Sequence, residues 1–298
     1  MTFLHSLSQP RQLLLDGATG TELNRRGVDT GLPLWSANAL LNDRDAKILQ
    51  DIHEDYLRAG ADIITTNTFR THRRALAPSG NADRALELTR KAVDIARAAI
   101  ASVNSDSPKF IAGSLSTLED CYRPDLVPSD DKLRAEHSER IRHLIECGVD
   151  LILIETINTI REAVIMAKLA VITGAPVIVS FVCDYEGKIL SGETLTEAAN
   201  QLLPLGISAI GVNCGPTPNL AKPLAELQTA CGKDFPLIAY GNIGYADEEV
   251  GWVNTDSENP NIYCEHASHW PVKIVGGCCG TTPEHITQLK KQVVESGK

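Results

Sequence analysis

A single (β/α)8 TIM barrel spanning residues 1–298 is the fold this sequence predicts, and three observations predict it. Short apolar runs recur along the chain, amphipathic stretches follow nearly every one, and a helix-end, glycine, strand-start pattern repeats. The runs are solidly apolar rather than alternating, which suits parallel strands covered on both faces. The repeat reads Ala59-Gly60-Ala61-Asp62-Ile63-Ile64, then Cys147-Gly148-Val149-Asp150-Leu151-Ile152, then Leu205-Gly206-Ile207-Ser208-Ala209-Ile210. In each, glycine suits the left-handed position that ends a helix.

In chain order the strands are expected at Leu13–Asp16, Asp62–Thr66, Phe110–Ser114, Leu151–Glu155, Val177–Phe181, Ala209–Asn213, Leu237–Tyr240 and Lys273–Val275. Among the helices, Arg44–Arg58 places Ile48, Ile52 and Tyr56 on one face. Ser129–Cys147 opens on a serine suited to capping and turns Leu133, Ile141, Leu144 and Ile145 inward. Thr159–Thr173 and Pro283–Glu295 follow the same plan. The seventh helix is the weak unit: 247–269 is polar, holds Gly251 and Pro260, and is expected as an irregular excursion between strands seven and eight. Arg70–Asn81 and Cys121–Pro128 are expected as loop insertions. An open dinucleotide-binding sheet would want G-x-G-x-x-G after its first strand, and Asp16-Gly17-Ala18-Thr19-Gly20-Thr21 does not supply it.

Composition narrows the function. A net charge of −10 argues against nucleic acid and anionic membrane surfaces as partners. With 43% hydrophobic and 22% charged residues the chain is ordinary globular material. No apolar run is long enough to span a bilayer, and Met1 to Pro10 lacks the pattern of a signal peptide. A cytoplasmic protein with reduced thiols is expected.

In a barrel, reactive groups lie at the C-terminal ends of the strands. Those ends carry Asp16, Thr66-Asn67, Ser114, Glu155, Cys183, Asn213-Cys214, Tyr240-Gly241-Asn242 and Gly276-Gly277-Cys278-Cys279. Cys214, Cys278 and Cys279 would give zinc three thiolate ligands and leave a fourth position open, the mark of a catalytic site. Three anionic ligands make the metal a poor activator of water, whereas a substrate thiol in the open position would bind as a nucleophilic thiolate. Alkyl transfer to sulfur fits better than hydrolysis. Cys121, Cys147, Cys183, Cys231 and Cys264 read as packing residues. Cys264, His266 and His269 sit in the excursion without a spacing that demands a role.

These residues resemble the homocysteine S-methyltransferase family, whose homocysteine-binding barrel is shared with betaine–homocysteine methyltransferase and a module of methionine synthase. The matching stretches are Leu15-Asp16-Gly17-Ala18-Thr19-Gly20-Thr21-Glu22, Gly60 to Phe69, Glu155-Thr156, Gly211-Val212-Asn213-Cys214 and Gly276-Gly277-Cys278-Cys279-Gly280-Thr281-Thr282-Pro283. The resemblance implies zinc on Cys214, Cys278 and Cys279 with homocysteine sulfur as fourth ligand. It implies that Asp16 and Glu155 hold the substrate ammonium and that backbone N–H groups of Gly17 and Ala18 take its carboxylate. Asn213 would orient the thiolate or the substrate, and Thr66 and Asn67 would line the mouth.

The donor side departs from the family. Gly113-Ser114-Leu115-Ser116-Thr117-Leu118-Glu119 and Tyr240-Gly241-Asn242-Ile243-Gly244-Tyr245 differ from the loops common in members that use S-methylmethionine. The expected partners are homocysteine and a small-molecule methyl donor: S-methylmethionine first, S-adenosylmethionine second, betaine third. Aromatic content of 5% leaves little to cage a quaternary ammonium. Another small thiol or selenol as acceptor, and a non-catalytic thiol switch at Cys278 and Cys279, are the competing readings. Oligomeric state is left open.

Overall fold

The computed structural model describes residues 2–247 and 250–295. Helix α1 (Phe3–Ser8) precedes β1 (Leu13–Leu14), and α2 (Gly20–Arg25) and α3 (Asp43–Ala59) lead to β2 (Ile63–Thr65). Then come α4 (Arg73–Leu76), α5 (Ala85–Val103), β3 (Phe110–Leu115), α6 (Asp130–Cys147), β4 (Leu151–Ile157), α7 (Ile160–Val171) and β5 (Val177–Phe181). The second half holds α8 (Leu195–Leu202), β6 (Ala209–Pro216), α9 (Ala221–Cys231), β7 (Leu237–Asn242), β8 (Gly244–Asp247), β9 (Gly251–Asn254), α10 (Pro260–Ser268), β10 (Ile274–Gly277) and α11 (Pro283–Glu295).

Eight strands pair in the order β1-β10-β7-β6-β5-β4-β3-β2, every neighbour parallel. The two ends meet through a parallel bridge between Leu15 and Ile63, with Asp62 N donating to Leu14 O at 2.7 Å and Asp16 N to Ile63 O at 3.0 Å. The sheet thus closes into the expected TIM barrel. No helix among the described residues is long and apolar enough to cross a membrane.

The barrel interior is graded along its axis. Alternate residues of each strand point inward, so Phe110 and Ala112 fill the inner cluster and Ser114 follows them on the same face. In β4, Leu151 and Leu153 give way to Glu155, and in β7 Ile238 gives way to Tyr240. The lower layers are therefore apolar and the C-terminal layer polar. α1 closes the lower end: Phe3 and Leu7 join the same inner cluster, and the Phe3 ring meets Phe110 edge-on at 5.5 Å. A second, larger cluster lies between the strands and the surrounding helices, holding Ile64, Ile152, Val179 and Val212 against helix residues such as Ile52, Val93 and Leu224.

The excursion at 247–269 is more ordered than its composition suggests. β8 and β9 form an antiparallel hairpin, and α10 supplies the seventh helix. Pro260, which looks like an interruption, is the first residue of α10, where proline costs no helical hydrogen bond, and Asn259 caps it by accepting from Asn261 N. The insertion at Arg70–Asn81 likewise contains a short helix, α4.

Candidate active site

Two irregularities aim the site. The register of β4 against β5 shifts between Ile154 and Ile157, and that of β6 against β7 shifts between Asn213 and Pro216. Such bulges re-aim side chains, and the residues inside them include Glu155, Thr156 and Cys214. Thr156 and Cys214 both adopt the left-handed region, at φ 57° and 58°, which costs a β-branched threonine most. Asn213 holds that conformation. Its Oδ1 accepts from Thr156 N at 3.0 Å and Ser180 Oγ at 2.8 Å, while its Nδ2 donates to Thr156 Oγ1 at 2.8 Å.

Cys214, Cys278 and Cys279 come together: their sulfur atoms all lie within 4.8 Å of one another, with Cys214 and Cys279 at 3.9 Å. Among the described residues this is the one such group that could hold a metal ion. Asn242 ties its two halves, donating from Nδ2 to Cys214 O at 2.9 Å and accepting at Oδ1 from Cys279 N at 3.0 Å. The Tyr122 hydroxyl lies 3.1 Å from Cys214 Sγ. Hydrogen bonds from the Cys278 and Cys279 thiols hold the Cys214 thiol well below its ordinary range, and those two thiols are pushed up in turn.

Two buried carboxylates line the same cavity. Asp16 accepts from Thr65 N and Thr65 Oγ1, each at 2.8 Å, and burial raises it to about 8 against those bonds. Glu155 accepts from Ser114 Oγ and, at 3.1 Å, from the Tyr240 hydroxyl, and burial raises it to about 7. Among the described residues neither carboxylate has an ion-pair partner. Two raised, unpaired carboxylates at a cavity wall form a receptor for a cation.

The cavity measures ~370 Å³ and is lined by Asp16, Gly17, Ala18, Thr66, Asn67, Glu155, Cys214, Cys278 and Cys279, together with Trp35, Phe69, Arg70, Asp120, Tyr122 and Tyr240 among others. Gly17 is required by close approach: a Cβ there would lie 2.7 Å from the Tyr56 ring. Two expectations change in detail. The Ala18 N–H donates to Thr281 Oγ1 at 3.1 Å, so of the two turn N–H groups expected to take a carboxylate this one is engaged within the protein. Asn213 is fully buried behind the wall and does not line the cavity, so it orients the cysteine strand rather than a ligand. Cys264 is buried, with its thiol pushed up by burial to about 12, and neither it nor His266 nor His269 lines the cavity. Sequence reasoning missed Tyr122, Trp35 and Phe69, which stand in loops outside the barrel strands. It also missed Asn242 as a bridge, although its place at the end of β7 was a signal.

Comparison with known proteins agrees with this geometry. The sequence model described as Homocysteine S-methyltransferase matches residues 13–293. The homocysteine S-methyltransferase YbgG of Bacillus subtilis (strain 168) is 31% identical, over 96% of this chain and 95% of its own. The selenocysteine Se-methyltransferase of Brassica oleracea var. italica is 28% identical, over 94% and 88%. The metallated crystal structure of the homocysteine methyltransferase MmuM from Escherichia coli superimposes with a TM-score of 0.82 at 28% identity, covering 96% of this chain and 98% of that one. With its barrel, its three converging thiols and a family match over nearly its whole length, this chain belongs to the homocysteine S-methyltransferase family.

Proposed function

We propose that this chain is a zinc-dependent methyltransferase that moves a methyl group from a small sulfonium donor to homocysteine, giving methionine. The observation that carries the reading is the pairing, across one cavity, of two unpaired carboxylates with a three-thiol cluster. One end suits an ammonium and the other a sulfur, which are the two ends of homocysteine. The thiols fit zinc: tetrahedral bonds of about 2.3 Å place sulfurs about 3.8 Å apart, and Cys214 and Cys279 stand 3.9 Å apart. Cys214, Cys278 and Cys279 would hold the ion, and Asn242 would fix the two backbones that carry them. When bound, zinc keeps a substrate thiol ionised at neutral pH.

The protein's own groups do the rest. Asp16 and Glu155 accept hydrogen bonds from the ammonium, and the Thr65, Ser114 and Tyr240 donors keep both carboxylates aimed. The Gly17 N–H takes the carboxylate. The homocysteine sulfur, having lost its proton, bonds to the methyl carbon as the donor's carbon–sulfur bond breaks in line, and that electron pair returns to the donor sulfur. Nothing in this step needs a general acid, so positioning supplies much of the rate, worth roughly 7–11 kcal/mol when two reactants are well aligned. The net charge of −10 also favours capture of a cationic donor. S-methylmethionine is the first donor in this reading and S-adenosylmethionine the second.

The test is methionine formation from homocysteine by the zinc-loaded protein with each donor. The expected result is turnover with S-methylmethionine, lost on chelation, restored by zinc, and absent in Cys279→Ser. Tight zinc binding with no methionine from either donor rejects the donor reading, and a fully active Cys279→Ser rejects the three-thiolate site.

A further inference from the structure

The groups assigned to homocysteine do not exhaust the cavity lining, which also holds a second set of groups with no role yet. Trp35 and Phe69 form an edge-to-face pair with centroids 5.7 Å apart. Their placement is built. Trp35 holds a left-handed φ of 49°, and Gly20 makes room for it, since a Cβ at Gly20 would lie 2.3 Å from the indole. Asn67 Nδ2 donates to Ser36 O at 2.8 Å and pins the turn that carries Trp35. Behind Phe69, the buried Arg140 donates to Ser116 O at 2.6 Å and to Phe69 O at 3.3 Å. Beside this wall stands Arg70, whose guanidinium donates to Pro33 O at 3.3 Å and has no ion pair among the described residues. Asp120, also without an ion pair there, lines the same cavity.

We propose that these residues form the methyl-donor subsite and that it reads a zwitterionic amino-acid cation: Arg70 pairs with the donor's α-carboxylate while Trp35 and Phe69 face its sulfonium. This rests on the methyltransferase reading above and goes beyond it by assigning the residues that choose the donor. A cation placed against aromatic faces is attracted to them, and a carboxylate at the cavity mouth finds in Arg70 a planar donor fork not engaged by any acid. Asp120 completes the charge complement by offering an acceptor to the donor ammonium. A nucleoside sulfonium also carries an amino-acid end, so the discriminating group is the carboxylate itself, which can be removed chemically.

The experiment compares S-methylmethionine with its carboxamide as donors, homocysteine being saturating, in the wild type, Arg70→Gln and Arg70→Lys. Arg70→Gln is expected to raise KM for S-methylmethionine about 10- to 100-fold, the range for losing a charge-assisted hydrogen bond. It leaves KM for homocysteine and KM for the carboxamide where they were, and Arg70→Lys recovers part of the loss. Trp35→Leu is expected to raise KM for both donors, because both carry the sulfonium. Equal losses with the two donors in Arg70→Gln, or a rise in KM for homocysteine, would overturn the assignment. Should Arg70→Gln fail to fold, the wild type alone decides: it must prefer the carboxylate donor, and equal KM values for the two overturn the proposal. A wild type that makes no methionine from any donor instead overturns the underlying function, so the two failures are distinguishable.

Discussion

Asp16 and Glu155 are raised to about 8 and about 7 by burial, above the ordinary carboxylate range. Their contribution to stability is therefore fully present below the unfolded value of about 4 and is lost as pH rises through 7 to 8. Ligand binding has the opposite sign, since an ammonium favours the ionised carboxylates. Methionine tests this cleanly because its thioether has no proton to lose. Its affinity, followed by calorimetry, is expected to rise between about pH 6 and pH 8.5, with a flatter profile in Asp16→Asn and in Glu155→Gln. A flat wild-type profile would mean that the ammonium does not sit on these groups. Both carboxylates were legible in the sequence because each closes an apolar run expected as a strand; in the structure Asp16 lies just past β1 and Glu155 lies inside β4. The state of the Ala18 N–H was not, because its acceptor, Thr281 Oγ1, is 263 residues away. The same holds for Asn213: its neighbour Cys214 advertised it, but only the bulges explain why its amide faces Thr156.

α10 shows what an element contributes when its own sequence signal is weak. Its Tyr263 is fully buried, donates to Gly276 O at 2.7 Å and accepts from Gly241 N at 3.0 Å, so one hydroxyl joins the ends of β7 and β10 just below the cysteine pair. Tyr263→Phe leaves a buried carbonyl and a buried N–H without that partner, a loss of about 1–3 kcal/mol. Urea unfolding is expected to show that loss, and a separate metal titration is expected to show weaker binding of the zinc proposed above, because the loop bearing Cys278 loses one of its anchors. Unchanged metal affinity in a destabilised variant would show that the loop's other bonds, such as Cys278 N to Gly241 O and Cys279 N to Asn242 Oδ1, suffice to hold it. The helix was hidden in the sequence because glycine, proline and polar residues dominate the segment around it. Tertiary contacts support it, among them the Tyr263 ring edge-on to His285 of α11 at 5.4 Å, and these are invisible to periodicity.

For the whole molecule, the two ends of the barrel divide stability from chemistry, as parallel barrels do. The apolar strands made the closed ring legible, since solid runs separated by helices admit few other topologies. The helix that plugs the lower end was not foreseen, because α1 has six residues and only Thr2 as a cap. Phe3→Ala is expected to cost about 3–5 kcal/mol of unfolding free energy while KM for homocysteine is unchanged, because Phe3 packs at the end opposite the thiols. A shift in KM would mean that the lower layers transmit strain upward. The bulge pair locked by Asn213 has a consequence for engineering. Glu155 and Cys214 share one rigid, hydrogen-bonded frame, whereas Trp35, Phe69, Arg70 and Tyr122 hang on separate loops. In the proposed reading the acceptor groups sit on barrel strands or at their ends and the donor groups outside them, so exchanging Trp35, Phe69 and Arg70 for a relative's residues is expected to change which methyl donor is taken while the thiol cluster, which none of the three touches through a hydrogen bond, stays in place.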